Sequence, residues 1–318
     1  MAGSSNLLAE IWIDAIQENV FEDNAYWNKS QDHSQWIDNK TVHVPNAGNV
    51  PVVQQNPTVY PLPTTQRVDN SLDYNIDQYA ALPWFVTDLE LIQIRYDKVK
   101  SLTYAMSMQL KETIGNILPY KWANGISGNA AKIVFTSGSA TASMLPVYAG
   151  SIATGTRKAP QLSDIAAIKA LMDNDFMPSE GRCGLLPAII FDNGVLGLSN
   201  IIINSYYDYR TPVVPDGKPM PIFGFELFVR PNVLYTNASG VLVTYSTSTG
   251  LPSSPATTDC AAGIFWHPTF VAKAQGETKV FYQPDRPEYQ GDLMSAYIMF
   301  GGSYLRTDGK GVYLLVAA

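Results

Sequence analysis

Residues 41–88, TVHVPNAGNVPVVQQNPTVYPLPTTQRVDNSLDYNIDQYAALPWFVTD, contain six prolines, at 45, 51, 57, 61, 63 and 83, and not one lysine. Proline fixes φ and removes a backbone donor, which stiffens the segment and blocks uncontrolled edge pairing. Its ends nevertheless alternate apolar and polar residues, as a strand does. An extended arm with little core of its own fits both facts. Such an arm has too little apolar area to be stable alone, and its free edges invite aggregation. It needs a surface to lie on.

Composition points the same way. Of 318 residues 46% are hydrophobic and only 15% charged, with 18 tyrosines and a net charge of −7. Charge is well below the usual quarter or so of residues, so the chain buries much of its surface, in itself or against partners. The length allows one large core or two modest ones. The acidic balance excludes a general phosphate-binding role, which requires a basic face. Cys183 and Cys260 are far apart and form no CxxC pair; they read as two buried thiols rather than a disulfide framework. Residues 1–20 lack the basic start and unbroken apolar run of a signal peptide, and no window offers the run of about 20 apolar residues that a membrane helix needs. Ala2, not glycine, follows the initiator, so myristoylation is not expected. The expected product is soluble and intracellular, with the sequons at Asn28, Asn39 and Asn237 coincidental.

Residues 6–20 read as a short amphipathic helix. The polar segment after them, FEDNAYWNKSQDHSQWIDNK, carries Phe21, Tyr26, Trp27 and Trp36. Large aromatics in a polar stretch either pin an extended chain to another body or fold it back on its own domain. Thr87-Asp88-Leu89-Glu90 is a capping box. It opens a helix with apolar positions at Leu89, Ile92, Tyr96, Val99, Leu102, Met106, Leu110 and Ile114, stopped by Gly115 and Pro119. At 88–115 this spine is roughly 40 Å long. A second helix is expected from Ser163 through Ile165, Ile168, Leu171 and Met172, up to MPSEGRCG. LLPAIIFDN, FGFELFVRPNVLY, GVLVTYSTS, GIFWHPTFVAKA, TKVFYQPD and MSAYIMFGG read as strands, and YLRTDGKGVYLLV as a hairpin around Asp308-Gly309. The class is α+β.

Chemistry has no foothold. His33, His43 and His267 belong to no metal-ligand spacing. Neither GxSxG, GxxxxGK[ST] nor GxGxxG occurs. Asp88 and Glu90 suit the first turn of a helix, where negative charge meets the dipole, and Asp285, Glu288 and Asp292 fall in a loop. The reading is of a protein that is not an enzyme and has no catalytic residues, cofactor or metal.

Order and spacing then carry a resemblance. NKTVHVPNAGNV and the arm ending TTQRVDNSLDYNIDQYAALPWFVTDLELIQIRYDK look like the arm, extended E-loop hairpin and spine-helix start of the major capsid proteins of tailed double-stranded DNA phages, the Hong Kong 97-type fold. LSDIAAIKALMDNDFMPSEGRCGLLPAIIFDN and FGFELFVRPNV are similar to that family's axial-domain helix and strands, GIFWHPTFVAKAQGE and EYQGDLMSAYIMFGGSYLRTDGKGVYLL to its closing strands. The resemblance runs from about residue 41 to the end.

It implies an N-terminal arm at 1–40, an E-loop at 41–82, a peripheral domain at 83–155 and 268–305, and an axial domain at 156–267 and 306–318. It implies a self-assembling subunit forming hexamers and pentamers of an icosahedral head around DNA, located in the virion and assembled in host cytoplasm, with no membrane. The arm would then lie across a neighbouring subunit; the alternative is a loop packed on its own domain. Inter-subunit contacts are expected from Trp12, Trp27, Trp36, Tyr60, Arg67, Asp69, Arg95 and Lys98. Some relatives cross-link through an E-loop lysine; with Lys40 and Lys98 only flanking the loop, none is expected here. A separate scaffolding protein, a portal and a possible decoration protein are the implied partners, and contacts with DNA should be weak and non-specific. An encapsulin-like compartment shell or a tail or baseplate component is the alternative within structural proteins.

Overall fold

In a computed structural model, residues 24–48, 50–58, 60–62, 64, 66–88, 98–148, 151–192, 221–252 and 256–318 are described. The expected helix at 6–20 and the Glu90 half of the capping box lie outside them. The arm is β1 (Thr41–Asn46) paired antiparallel with β2 (Asn70–Asn75). β3 (Asp77–Ala80) and β4 (Trp84–Thr87) precede the long helix α1 (Lys98–Ala123). β5 (Ile133–Phe135), α2 (Leu162–Asn174) and β6 (Arg182–Pro187) follow, then β7 (Phe225–Arg230) and β8 (Leu234–Thr236). The chain ends with β9 (Cys260–Trp266), β10 (Val271–Arg286), β11 (Gly291–Tyr304) and β12 (Val312–Val316). The class is α+β, as expected.

Two sheets organise these elements. In the five-stranded one, β10 and β11 form a long hairpin; Gln31–Asp32 adds to the β10 edge, and β3 and β4 pair with β11. The seven-stranded one runs Pro221–Ile222, β7, β6, β9, β12, β5, with β8 also on β9. All residues of β9 are buried, in keeping with its continuous apolar sequence CAAGIFW. Helix α2 lays Ile165, Ile168 and Met172 on this sheet against Phe225, Phe265 and Leu315. The spacing of three and four puts those side chains on one helix face. Asp164 accepts from the Gln161 amide at 2.8 Å, which fixes the helix start one residue before Ser163.

The two sheets meet at an aromatic node. Trp122 of α1 and Trp266 of β9 have ring centroids 5.3 Å apart, and Tyr26 sits edge-on to both. Burying the indoles requires partners for their N–H groups. Trp122 donates to the Ala272 carbonyl of β10 at 3.0 Å and Trp266 to the Lys29 carbonyl at 2.7 Å. One node thus ties α1, both sheets and the segment around Tyr26 together.

Four expectations are corrected. The spine does not stop at Gly115 but runs through Pro119 to Ala123. Pro119 lacks the N–H that would pair with the Gly115 carbonyl; the Tyr26 hydroxyl donates to that carbonyl at 2.5 Å and Arg230 at 2.7 Å instead. A Cβ at Gly115 would meet Asn24 Oδ1 at 2.0 Å, so any larger residue there would have to displace the Asn24 side chain. YLRTDGKGVYLLV is not a hairpin: β11 pairs with β10, β3 and β4, whereas β12 pairs with β9 and β5. The turn, with Gly309 at φ 67° and an Arg306–Asp308 ion pair, passes the chain from one sheet to the other. GVLVTYSTS makes only an isolated bridge, Thr236 to Leu242, because the Asn237 side chain accepts from the Ser239 and Val241 amides in a local turn. The strand in LLPAIIFDN ends at Pro187 and gives way to a helical turn, Ala188–Ile190.

Candidate functional site

The arm is anchored at its root and bare at its tip. Across the β1–β2 ladder Val42 faces Tyr74, and both are buried against Ala272, Ala274 and Leu305. The next pair, His43 and Asp73, points the other way, exposed, with the imidazole Nδ1 2.8 Å from the carboxylate. This is the period-two alternation of the sequence made physical. The ladder ends at Asn46–Asn70. Just beyond it, the Asp69 carboxylate accepts from the Gly48 amide at 2.8 Å and from Arg67. Those two bonds, the amide first, hold its pKa below the ordinary carboxylate value. Residues 44–66 carry no charge, and Val50, Val52, Val53, Tyr60, Leu62 and Val68 are 45–91% exposed.

A second bare apolar surface lies at the outer half of the β10–β11 hairpin. Val280, Phe281, Tyr282 and Tyr289 are 41–61% exposed there, beside Trp84 and Phe85 of β4. Phe85 stacks on Tyr289 at 5.2 Å. Among the described residues, the free edge of β10 is paired only at Ala272 and Lys273, which leaves its outer backbone donors and acceptors open to another strand. Sequence reading assigned TKVFYQPD to a strand but gave no sign of its exposure. Periodicity reports which residues share a face, and says nothing of whether a neighbour covers it.

The individual contact candidates divide. Tyr60 and Trp36 are exposed, at 73% and 62%. Trp27 is half-buried 6.0 Å from Phe300 of its own chain, and Tyr26 beside it is in the central node, so this part of the polar segment folds back on its own domain. Arg67 and Asp69 satisfy each other within the arm. Lys98 is the first described residue of α1. Trp12 and Arg95 lie outside the described residues.

The polar clusters are structural. His33 is bonded to Tyr74 and Gln31, and His267 to Thr269 and the Glu180 carbonyl. Burial pushes both imidazoles below their ordinary pKa. Asp88, Asp285 and Asp292 bring carboxylate oxygens within 4.8 Å of one another. However, the oxygens of Asp292 already accept from the Tyr282 hydroxyl and the Asp285 amide, and Arg286 lines the same hollow. The donor set suits a tightened turn better than a cation. No helix among the described residues is long and apolar enough to cross a membrane.

No family model and no curated protein matches this sequence. Solved structures do. The capsid structure of the cyanophage P-SCSP1u is similar at TM-score 0.71 and 16% identity, covering 100% of this chain and 95% of that one. The mature capsid of bacteriophage PhiM1 gives 0.65 at 11% identity over 99% and 94%, and the capsid of a native GTA particle 0.63 at 10% over 100% and 97%. At such identities the likeness is one of fold, and it spans both partners nearly end to end. The chain has the α+β, Hong Kong 97-type fold of phage capsid shells.

Proposed function

We propose that this chain is a major capsid protein, whose copies assemble as hexamers and pentamers into an icosahedral phage head around double-stranded DNA. The observation that carries the reading is the pair of unlike apolar surfaces left bare on one subunit: the uncharged tip of the arm and the outer half of the β10–β11 hairpin. Two different surfaces that fit each other make a head-to-tail contact, which repeats into rings and shells rather than closing a dimer. Arm, E-loop, peripheral and axial domains take the boundaries given above, save that β5 pairs with β12 and goes with the axial sheet, and the separate pairing sets of β11 and β12 support the division near residue 305. A scaffolding protein, a portal and a decoration protein are the further partners this reading calls for. DNA, facing a chain of net charge −7, is held weakly and without sequence preference. The particle is assembled in host cytoplasm and the mature protein resides in the virion.

Sedimentation velocity tests the pairing. Val53→Asp in the arm and Phe281→Asp in the hairpin should each arrest assembly at small species. An equal mixture of the two retains one intact contact, so it should give dimers that neither forms alone. Normal shells from either variant would overturn the assignment of that surface.

A further inference from the structure

Two adjoining turns at one end of the seven-stranded sheet carry residues that their backbones disfavour. Helix α2 ends with the Phe176 amide donating to the Asp173 carbonyl and the Met177 amide to the Met172 carbonyl, both at 3.0 Å. In this ending the residue after the C-cap, here Asp175, turns left-handed and is usually glycine. Phe176 holds that place at φ 59°. Met177 is buried in one cluster with Met172, as the motif requires, whereas Phe176 is 92% exposed. The second turn joins Pro221–Ile222 to β7. Ile222 pairs with Phe225, so the loop is Phe223 and Gly224, at φ 52° and 84°. Asn-Gly is the favoured pair for such a turn; Phe223 takes the asparagine position and is 39% exposed. A Cβ on Gly224 would lie 4.0 Å from the Ser179 carbonyl oxygen, so the two turns touch.

A bulky side chain in the left-handed region strains the backbone, and a ring left in solvent recovers none of that by burial in its own subunit. Such strain gathers at sites that serve something else. Charge narrows what that is. Asp173 and Asp175 beside Phe176 are paired with Arg182 and Lys132, so these cations are committed and do not offer a phosphate site. Residues 219–225 carry no charge. At the opposite end of the sheet, Val147 and Ile152 face each other across a short ladder, 51% and 64% exposed, within residues 133–156, which are also uncharged. That ladder sits where β9 begins: the Val147 carbonyl accepts from Tyr235 of β8 at 3.4 Å, and Arg157 donates to the Asp259 carbonyl at 2.7 Å. The phenylalanine end is where β9 finishes, with Trp266 opposite Cys183 at the start of β6. Copies of a chain with net charge −7 repel one another, so they meet best where charge is absent.

We propose that Phe176 and Phe223 dock on the Val147–Ile152 pair of a second copy of this chain, a head-to-tail contact between seven-stranded sheets that is separate from the arm–hairpin contact. Unlike surfaces at opposite ends of one sheet pass the contact from copy to copy, as a ring requires. The choice of partner rests on the assembly reading.

Full-length Phe176→Cys and Ile152→Cys chains, mixed and treated with a short-reach bismaleimide, read the contact. The mixture should give linked dimers on a denaturing gel well beyond those of either variant alone, because Cys183 and Cys260 are buried. Phe176→Gly supplies a second reading in a chain whose folding it can only help. In the Val53→Asp subunit it should raise the thermal midpoint by about 2 °C, and in the otherwise unaltered chain it should weaken assembly about tenfold. A mixture that links no better than its components would overturn the contact, as would Phe176→Gly chains that assemble like the parent. Linked dimers together with normal shells from Val53→Asp and Phe281→Asp would remove the arm–hairpin assignment and leave this contact standing.

Discussion

Pro119 lies well inside α1, where a proline ordinarily costs about 3 kcal/mol. Its effect here is confined to one acceptor, the Gly115 carbonyl, and Tyr26 and Arg230 both donate to that oxygen. Because the acceptor is already served, Pro119→Ala should change stability by less than about 1 kcal/mol rather than recover the full helix penalty. Tyr26→Phe should cost about 1 kcal/mol, since Arg230 remains as donor. Trp122→Ala, which empties the node between the sheets, should cost about 3–5 kcal/mol. Urea unfolding of an assembly-arrested subunit measures all three. A large gain from Pro119→Ala would mean that the substitute bonds are weak. Gly115 and Pro119 were visible in the sequence as stop signals, but their override came from residue 26, some ninety positions away in the chain. Local chemistry could not anticipate it.

At the scale of elements, what was legible was what depends on neighbours in sequence. The spacing of Ile165, Ile168 and Met172 places α2 to within a residue, and the alternation around Val42 and Tyr74 anticipates β1 and β2. Pairing partners were not legible. Asp308-Gly309 flanked by apolar runs is a strong hairpin signal, yet the two runs serve different sheets, because β12 is claimed by β9 and β5. The arm was found by its prolines, whereas the hairpin surface was missed because exposure depends on what else packs there.

For the whole molecule, the lysine-free arm sets how a shell can be held together. Residues 41–97 have no lysine, so no arm lysine can form an isopeptide bond, and the proposed shell would hold by burial and backbone pairing. Boiled particles on a denaturing gel should give a single band at 34.9 kDa, and a ladder of covalent oligomers would contradict this. In the proposed assembly the arm clasps a neighbouring subunit. Electron microscopy of the purified protein, intact and lacking residues 48–64, tests it most directly. The intact chain should form closed shells and the deletion should leave folded small species. Closed shells from both would show that the arm is not the clasp.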